Sequence, residues 1–234
     1  MSWTKNQILL NQTANTSCKD IFQAVCDELG EHYQNSGIKY SKSRPKLTYK
    51  DKELKVEICF WSKRSNTPGS HVSFEIVPSF YSLQVKKELD SINPEKKSKG
   101  LIIGLMSIFK FKHNNSDQQE KVQQIYGEVI NLERKTYGDD VIRYNHNCNV
   151  YGIDELNFKK IAEFIDSKII YWIEKLKTPE GILEYLEDRP IGVYKILLGQ
   201  NNNTSFISYC NLKFPELNIE ERLKEKTNTQ QGLY

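Results

Sequence analysis

The sequence predicts an α+β fold, in which an antiparallel sheet has helices packed mainly on one face. Strand-like alternation of apolar and polar residues lies mainly in the first half of the chain, whereas apolar residues at helical spacing dominate the last third. Neither an internal repeat nor a linker rich in Pro, Gly and Ser divides the sequence. We therefore expect a single domain over residues 1–217, followed by a polar, flexible tail over 218–234.

The composition favours a cytoplasmic protein with a hydrophobic core. Of 234 residues, 38% are hydrophobic and 27% are charged, and the net charge is +3. The most apolar run, 100–109, is about half as long as a membrane span requires, and no signal peptide is expected at the N-terminus. Five dispersed cysteines without a C-x-x-C pair predict free thiols in a reducing compartment. We expect no cofactor, no metal and no membrane contact.

The first regular element is expected to be a helix from Ser17 to Gly37, after a loosely attached lead-in over 1–14. Ser17 and Asp20 have the spacing of a capping box, and glycine is common where helices end. Between them, apolar residues recur at the spacing of one helix face: Ile21, Phe22, Val25, Cys26, Leu29 and Tyr33.

Three strands are expected next, over 46–50, 54–61 and 72–80. The second alternates apolar residues with Lys, Glu, Cys and Trp, which is typical of a strand with one buried face. Short connections, including a turn at Asp51, predict antiparallel pairing. Pro78 lacks an N–H donor, so we expect the third strand to lie at a sheet edge or to end there.

The rest of the chain is expected to be mainly helical. Up to residue 153, the pattern predicts a short helix over 83–89, a helix over 116–138 and a strand over 141–153. The segment 101–111 between the first two fits strand or helix equally. Beyond it, a long apolar stripe of about five turns and shorter apolar segments predict helices at 158–176, 179–186, 190–199 and 206–217.

Three segments also carry a resemblance to a known family: CKDIFQAVCDELGEHYQNSGIKY, LKVEICFWSKRSN with HVSFEIVPSFYS, and FIDSKIIYWIEKLKTPEGILEYLED. Through them and the order of elements, the chain resembles a bacterial family catalogued only as a domain of unknown function. That family has no established activity, and its members look like accessory proteins encoded near toxin-immunity or defence loci. The resemblance implies that the chain binds a partner.

Two sets of residues could carry chemistry. Asp51, Glu53 and Lys55 are similar to the carboxylates and lysine of metal-dependent nucleases, which hold Mg²⁺ and steady the attacking water. His71 and His146 begin triplets similar to those of two-histidine phosphoesterases, where one imidazole is the base and the other the acid. We favour a charged hairpin turn and ordinary surface histidines as the interpretation.

The sequence therefore favours a non-enzymatic bacterial protein that binds a protein partner, most concretely an immunity or antitoxin-like protein that masks a toxin. The alternatives are a nucleic-acid-processing enzyme and an accessory domain of a defence assembly, and lysines around residues 86–99 leave a nucleic acid partner open. The candidate partner-binding residues lie on the more polar face of the strand pair: Lys55, Glu57, Trp61, Lys63, Arg64, His71, Ser73 and Glu75.

Overall fold

The chain folds as two compact units, each built from three separate segments. The first comprises Met1–Tyr49, Glu57–Val77 and His113–Ile169, and the second Lys50–Val56, Pro78–Lys112 and Ile170–Tyr234. The computed structural model describes residues 6–62, 64, 66–95, 97–104, 110–112, 134–137, 141–144, 147–187, 191–199 and 205–231. The expectation of one domain over 1–217 stays a prediction.

The predicted α+β class is confirmed, because helices accompany an antiparallel sheet. The strands are β1 (Lys39–Ser41), β2 (Lys46–Lys50), β3 (Leu54–Trp61), β4 (Ser73–Ser82), β5 (Leu101–Ile103), β6 (Lys110–Lys112), β7 (Arg134–Tyr137), β8 (Val141–Tyr144) and β9 (Asn147–Asn149). The main sheet has the order β1-β2-β3-β4-β5, and β9 also pairs with β4. A second sheet has the order β6-β8-β7, in which β7 and β8 are antiparallel.

Helices lie within the described parts of the segments predicted as helical after the first strands and in the last third, and two further helices lie near the ends of the chain. They are α1 (Gln7–Leu10), α2 (Cys18–His32), α3 (Leu83–Ile92), α4 (Glu155–Ile165), α5 (Tyr171–Lys175), α6 (Pro179–Tyr185), α7 (Ile191–Leu197), α8 (Phe206–Lys213) and α9 (Ile219–Gln231). A π-helical turn at Asp166–Ile170 joins α4 to α5, and a 3-10 turn at Pro215–Leu217 precedes α9. Among the described residues, we find no helix with both the length and the apolar character needed to span a membrane.

The core of the first unit lies between α2 and the buried face of the sheet. The predicted stripe on α2 is confirmed in position, with Ile21, Val25 and Leu29 fully buried. The Phe74 ring stacks on Phe60 at 5.1 Å between centroids. Full burial of one such side chain stabilises a fold by about 1.5–3 kcal/mol, so these contacts fix which face of β3 and β4 turns inward.

The core of the second unit is formed by aromatic side chains on its C-terminal helices. Tyr185, Tyr194 and Tyr209 are fully buried, and two of their hydroxyls donate hydrogen bonds to backbone carbonyls of the same unit. Gly181 allows α6 to approach α5 closely, because a Cβ atom there would lie 1.8 Å from the carbonyl oxygen of Lys175. The absence of a side chain at this position is therefore a packing requirement.

Local capping and strand ends differ from two sequence predictions. Ser17 is the N-cap of α2, but its side chain caps no backbone N–H, so the predicted capping box is not formed. Strand β4 continues past Pro78 to Ser82, so it does not end there as one of the two alternatives predicted. Pro78 lies between the part of β4 that pairs with β9 and the part that pairs with β5. Its lack of a backbone N–H donor therefore breaks no hydrogen bond of either pairing.

Four segments carry structure that the sequence did not predict. The lead-in contains α1, and the three-residue strand β1 pairs with β2. The segment 141–153 divides into β8 and β9. The predicted flexible tail is a helix over Ile219–Gln231, because Ile219, Leu223 and Thr227 are one turn apart and buried. The ambiguous segment 101–111 starts as strand β5. Of the helix predicted over 116–138, only residues 134–137 are described, and they form strand β7, so the prediction is wrong for that end.

Candidate functional site

Trp61 ends β3 and leaves most of its indole in solvent. Its exposed fraction is 56%, whereas the apolar residues of the opposite face of β3 are buried. Arg64, three residues further on, is also exposed. Tryptophan and arginine are among the residue types that are enriched at the centres of protein interfaces.

Asn66 ties the end of β3 to the start of β4. Its Nδ2 donates to Ser62 Oγ at 2.8 Å, and its Oδ1 accepts from the backbone N–H of Ser73 at 2.8 Å. Ser62 Oγ in turn donates to the carbonyl oxygen of Ser73 at 2.8 Å. This side chain closes the base of the β3–β4 loop, which we define as residues 62–72.

The tip of the β3–β4 loop is held from several directions. Thr67 and His71 exchange two backbone hydrogen bonds, each 2.9 Å long. Gly69 has φ +77°, and a Cβ atom there would lie 3.1 Å from the Cβ of Ala14, so the turn packs against the lead-in. The positive φ and this close approach together favour glycine at position 69.

Asn149 on β9 binds the same loop through both side-chain atoms. Its Nδ2 donates to the carbonyl oxygen of Ser70 at 3.1 Å, and its Oδ1 accepts from the backbone N–H of Val72 at 3.0 Å and of Tyr151 at 3.0 Å. The backbone N–H of the next residue, Val150, donates to the carbonyl oxygen of Val72 at 2.9 Å. Side-chain and backbone hydrogen bonds therefore hold the described stretch 66–72 of the loop.

The other candidate residues have different environments. Glu57 accepts a hydrogen bond from Lys46 Nζ at 2.6 Å, and the ammonium of Lys55 lies over the Tyr81 ring at 5.6 Å from its centroid. Glu75 and His71 are half-buried, and Lys63 lies outside the described residues. Ser73 is only 1% exposed, so its assignment to an exposed face is wrong. Its backbone is occupied by Asn66 and Ser62, which draws this position inward.

The carboxylates of the nuclease-like set are paired within the second unit. Asp51 Oδ1 accepts from the backbone N–H groups of Glu53 and Leu54, both at 2.8 Å, and its Oδ2 lies 2.6 Å from Lys177 Nζ. Glu53 pairs with Lys213. Cationic partners compensate both charges, and the side chain of Asp51 also stabilises the turn. The set is therefore built as a hairpin turn docked onto lysines, which is poor geometry for holding Mg²⁺.

Cys148 lies two residues after His146 of the two-histidine set. Cys148 is buried, its Sγ donates to the carbonyl oxygen of Phe74 at 3.6 Å, and burial raises its pKa to about 12. A thiol with so high a pKa is a weak nucleophile near neutral pH. His146 lies outside the described residues, and within them no three His, Cys, Asp or Glu side chains are grouped as metal ligands.

Sequence reasoning missed three residues of this region. Arg44 is exposed and precedes Pro45, whose carbonyl oxygen accepts from the backbone N–H of Phe60 at 2.9 Å. This bond brings Arg44 to the end of the β2–β3 hairpin that carries Trp61. Asn66 and Asn149 were missed because asparagine is abundant in the sequence. Only their position in turn-rich segments could have drawn attention to them.

Comparison with known proteins gives two partial similarities. The high molecular weight form of myosin-1 of Acanthamoeba castellanii is 27% identical over 124 residues, which cover 49% of this chain and 7% of the myosin. The tRNA uridine 5-carboxymethylaminomethyl modification enzyme MnmG of Mycoplasmoides gallisepticum is 32% identical over 65 residues, which cover 28% of this chain and 11% of the enzyme. The chain therefore spans only a small part of the length of either protein.

No protein-family model matches the chain, and no solved structure matches it. The resemblance to an uncharacterised bacterial family stays a prediction.

Proposed function

We propose that this chain is a non-enzymatic protein that binds another protein through the Trp61 surface, defined as Trp61, Arg64 and His71. The observation that carries the proposal is the exposure of Trp61, at 56%, at the start of a loop whose stretch 66–72 is held by hydrogen bonds of Asn66 and Asn149. Ordering before binding lowers the entropic cost of association, so more of the contact energy appears as affinity. An exposed aromatic side chain is suited to filling a pocket of a partner.

The more concrete form of the proposal is an immunity or antitoxin-like protein acting in the cytoplasm on a partner toxin. The support is chemical: masking a toxin requires a rigid complementary surface and no reactive group. The nuclease-like carboxylates are engaged by Lys177 and Lys213. An enzyme built on Asp51 and Glu53 would first have to break those pairs, which makes the enzymatic alternative the weaker one.

The test is affinity purification from the native host with the full chain as bait. We expect one stoichiometric protein partner, with strongly reduced recovery for Trp61→Ala and Arg64→Ala. The matched control is Ile92→Ala, because Ile92 is an exposed apolar residue, at 73%, of the other unit. Recovery that is equal for all three variants would contradict the assignment of this surface, and the absence of any specific partner would contradict the function.

A further inference from the structure

Three segments of the first unit meet at the tip of the β3–β4 loop. They are residues 6–16, which we call the strap, the loop stretch 66–72, and the turn 149–153 that joins β9 to α4. The turn and the loop stretch are already connected, because the Asn149 side chain and the Val150 backbone bind the loop backbone. The strap contacts both of the other segments.

The contacts of the strap come from two of its side chains. Gln12 Oε1 accepts a hydrogen bond from the backbone N–H of Gly152 at 2.9 Å, which connects the strap to the turn. Gln12 Nε2 donates to the carbonyl oxygen of Leu9 at 3.3 Å within the strap. Ala14 lies so close to Gly69 that a Cβ atom on Gly69 would be 3.1 Å from the Cβ of Ala14. Each of the three segments therefore contacts the other two.

The strap buries little apolar surface of its own. Its helix α1 has four residues, of which Leu9 is buried, while Ile8 and Leu10 are 40% and 47% exposed. Although α1 also contacts α2, a helix of one turn has almost no stability by itself in water. Segments with few buried apolar contacts open at a lower free energy than the core does. The strap should therefore detach before α2 and the main sheet open.

We infer that the strap is a releasable conformational device, which holds the loop stretch 66–72 and the turn 149–153 while it is docked and lets both open when it detaches. Displacing the strap removes a contact from each of the other two segments, so the three segments open together. Coupling of this kind is reciprocal, and loosening the loop must favour detachment of the strap to the same extent. The inference does not depend on Trp61 being a partner-binding residue.

The experiment measures amide hydrogen exchange by NMR on the full chain. Gln12→Ala removes the bond between the strap and Gly152. We expect the loop amides of His71 and Val72, which Gln12 does not bind, to exchange about three- to tenfold faster, the range that loss of one hydrogen bond gives. The matched control is Gln7→Ala, because the Gln7 side chain binds Asn11 inside the strap. That control should leave the loop rates unchanged.

A second variant tests the reciprocal direction. Asn149→Asp keeps an oxygen acceptor for the Val72 N–H but removes the donor to the carbonyl oxygen of Ser70. The change lies outside the strap, yet it should speed the exchange of the strap amides of Leu10 and Asn11, whose hydrogen bonds are internal to the strap.

Amides of α2, such as that of Val25, show whether an effect is local, because they belong to the core of the same unit. An increase there equal to that in the loop would mean that the whole unit is destabilised, and the inference would be overturned. It would also be overturned by unchanged loop rates in Gln12→Ala, by equal changes in Gln7→Ala, or by strap amides that do not respond to Asn149→Asp. Loop amides that exchange as in an unfolded peptide in the unaltered chain would show that the docked strap holds nothing.

Discussion

The two ends of the β2–β3 hairpin carry charged residues that the structure uses in opposite ways. At the turn end, Asp51 and Glu53 are bound to Lys177 and Lys213, whose side chains are only 18% and 19% exposed. At the open end, Trp61 is exposed, and so are the two neighbouring arginines. The difference teaches that a motif-like spacing of charges can belong to packing, while residues without a motif remain available for recognition.

The turn end should be the more sensitive of the two to a change in backbone packing. Gly181→Ala would place a Cβ atom 1.8 Å from the Lys175 carbonyl oxygen and displace the α5–α6 turn that carries Lys177. We expect the free energy of unfolding to fall by on the order of 3 kcal/mol. Urea denaturation measures it, with Gly104→Ala as control because nothing lies within 4 Å of a Cβ there. Equal midpoints for both variants would show that the close approach is not needed.

Removing one side chain at each end of the hairpin should also lower the free energy of unfolding more at the turn end, but by less than Gly181→Ala does. Asp51→Ala removes the acceptor of two backbone N–H groups and the partner of Lys177. It should lower the free energy of unfolding by about 1–2 kcal/mol. Trp61→Ala at the open end should change it by less than about 0.5 kcal/mol.

Asp51→Asn separates the two contributions at the turn, because it keeps an oxygen acceptor for the backbone but removes the charge. Its unfolding midpoint should lie between those of the unaltered chain and Asp51→Ala. The comparison of the two ends fails if Trp61→Ala is as destabilising as Asp51→Ala, since Trp61 would then be part of the packing.

The smallest expected effect concerns Asp27, a paired carboxylate of the first unit, and the way in which the stability of the fold depends on pH. Burial of Asp27 opposes its ionisation, but hydrogen bonds from Lys42, Tyr40 and Gln23 outweigh it and hold the pKa below its ordinary value of 3.8. The resulting stabilisation is present above that value and is lost as the pH falls through the lower pKa of the folded state. Unfolding midpoints measured from neutral pH to below 3.8 should therefore decline less in Asp27→Asn. A parallel decline in both proteins would mean that Asp27 is not stabilised as an anion.

The sequence predicted the elements that have a regular pattern over many residues. The alternation in β3 and the apolar stripe of α2 are confirmed because burial of one face imposes a period on the sequence. Strand β1 has three residues, too few for a period to appear. Helix α9 was missed because it has few apolar residues, and its buried ones, Ile219 and Leu223, are surrounded by charge.

The candidate site was predicted only in part, for a different physical reason. Trp61 could be placed on a strand from its own neighbours in sequence. The partner of Asp51 could not be foreseen, because Lys177 is distant along the chain and is brought to it by tertiary packing. The burial of Ser73 likewise depends on Asn66 and Ser62 folding back across the start of β4.

The interleaving of the two units has a consequence for how the gene can be divided. Each unit takes its residues from three separate stretches, and strands β3 and β4 contribute to both. A shortened gene that ends at residue 169 would encode every segment of the first unit but would strip the second of all its C-terminal helices. No single contiguous fragment encodes either unit without carrying part of the other. Expression screens on this protein should therefore vary point substitutions and host strains before they vary the ends of the chain.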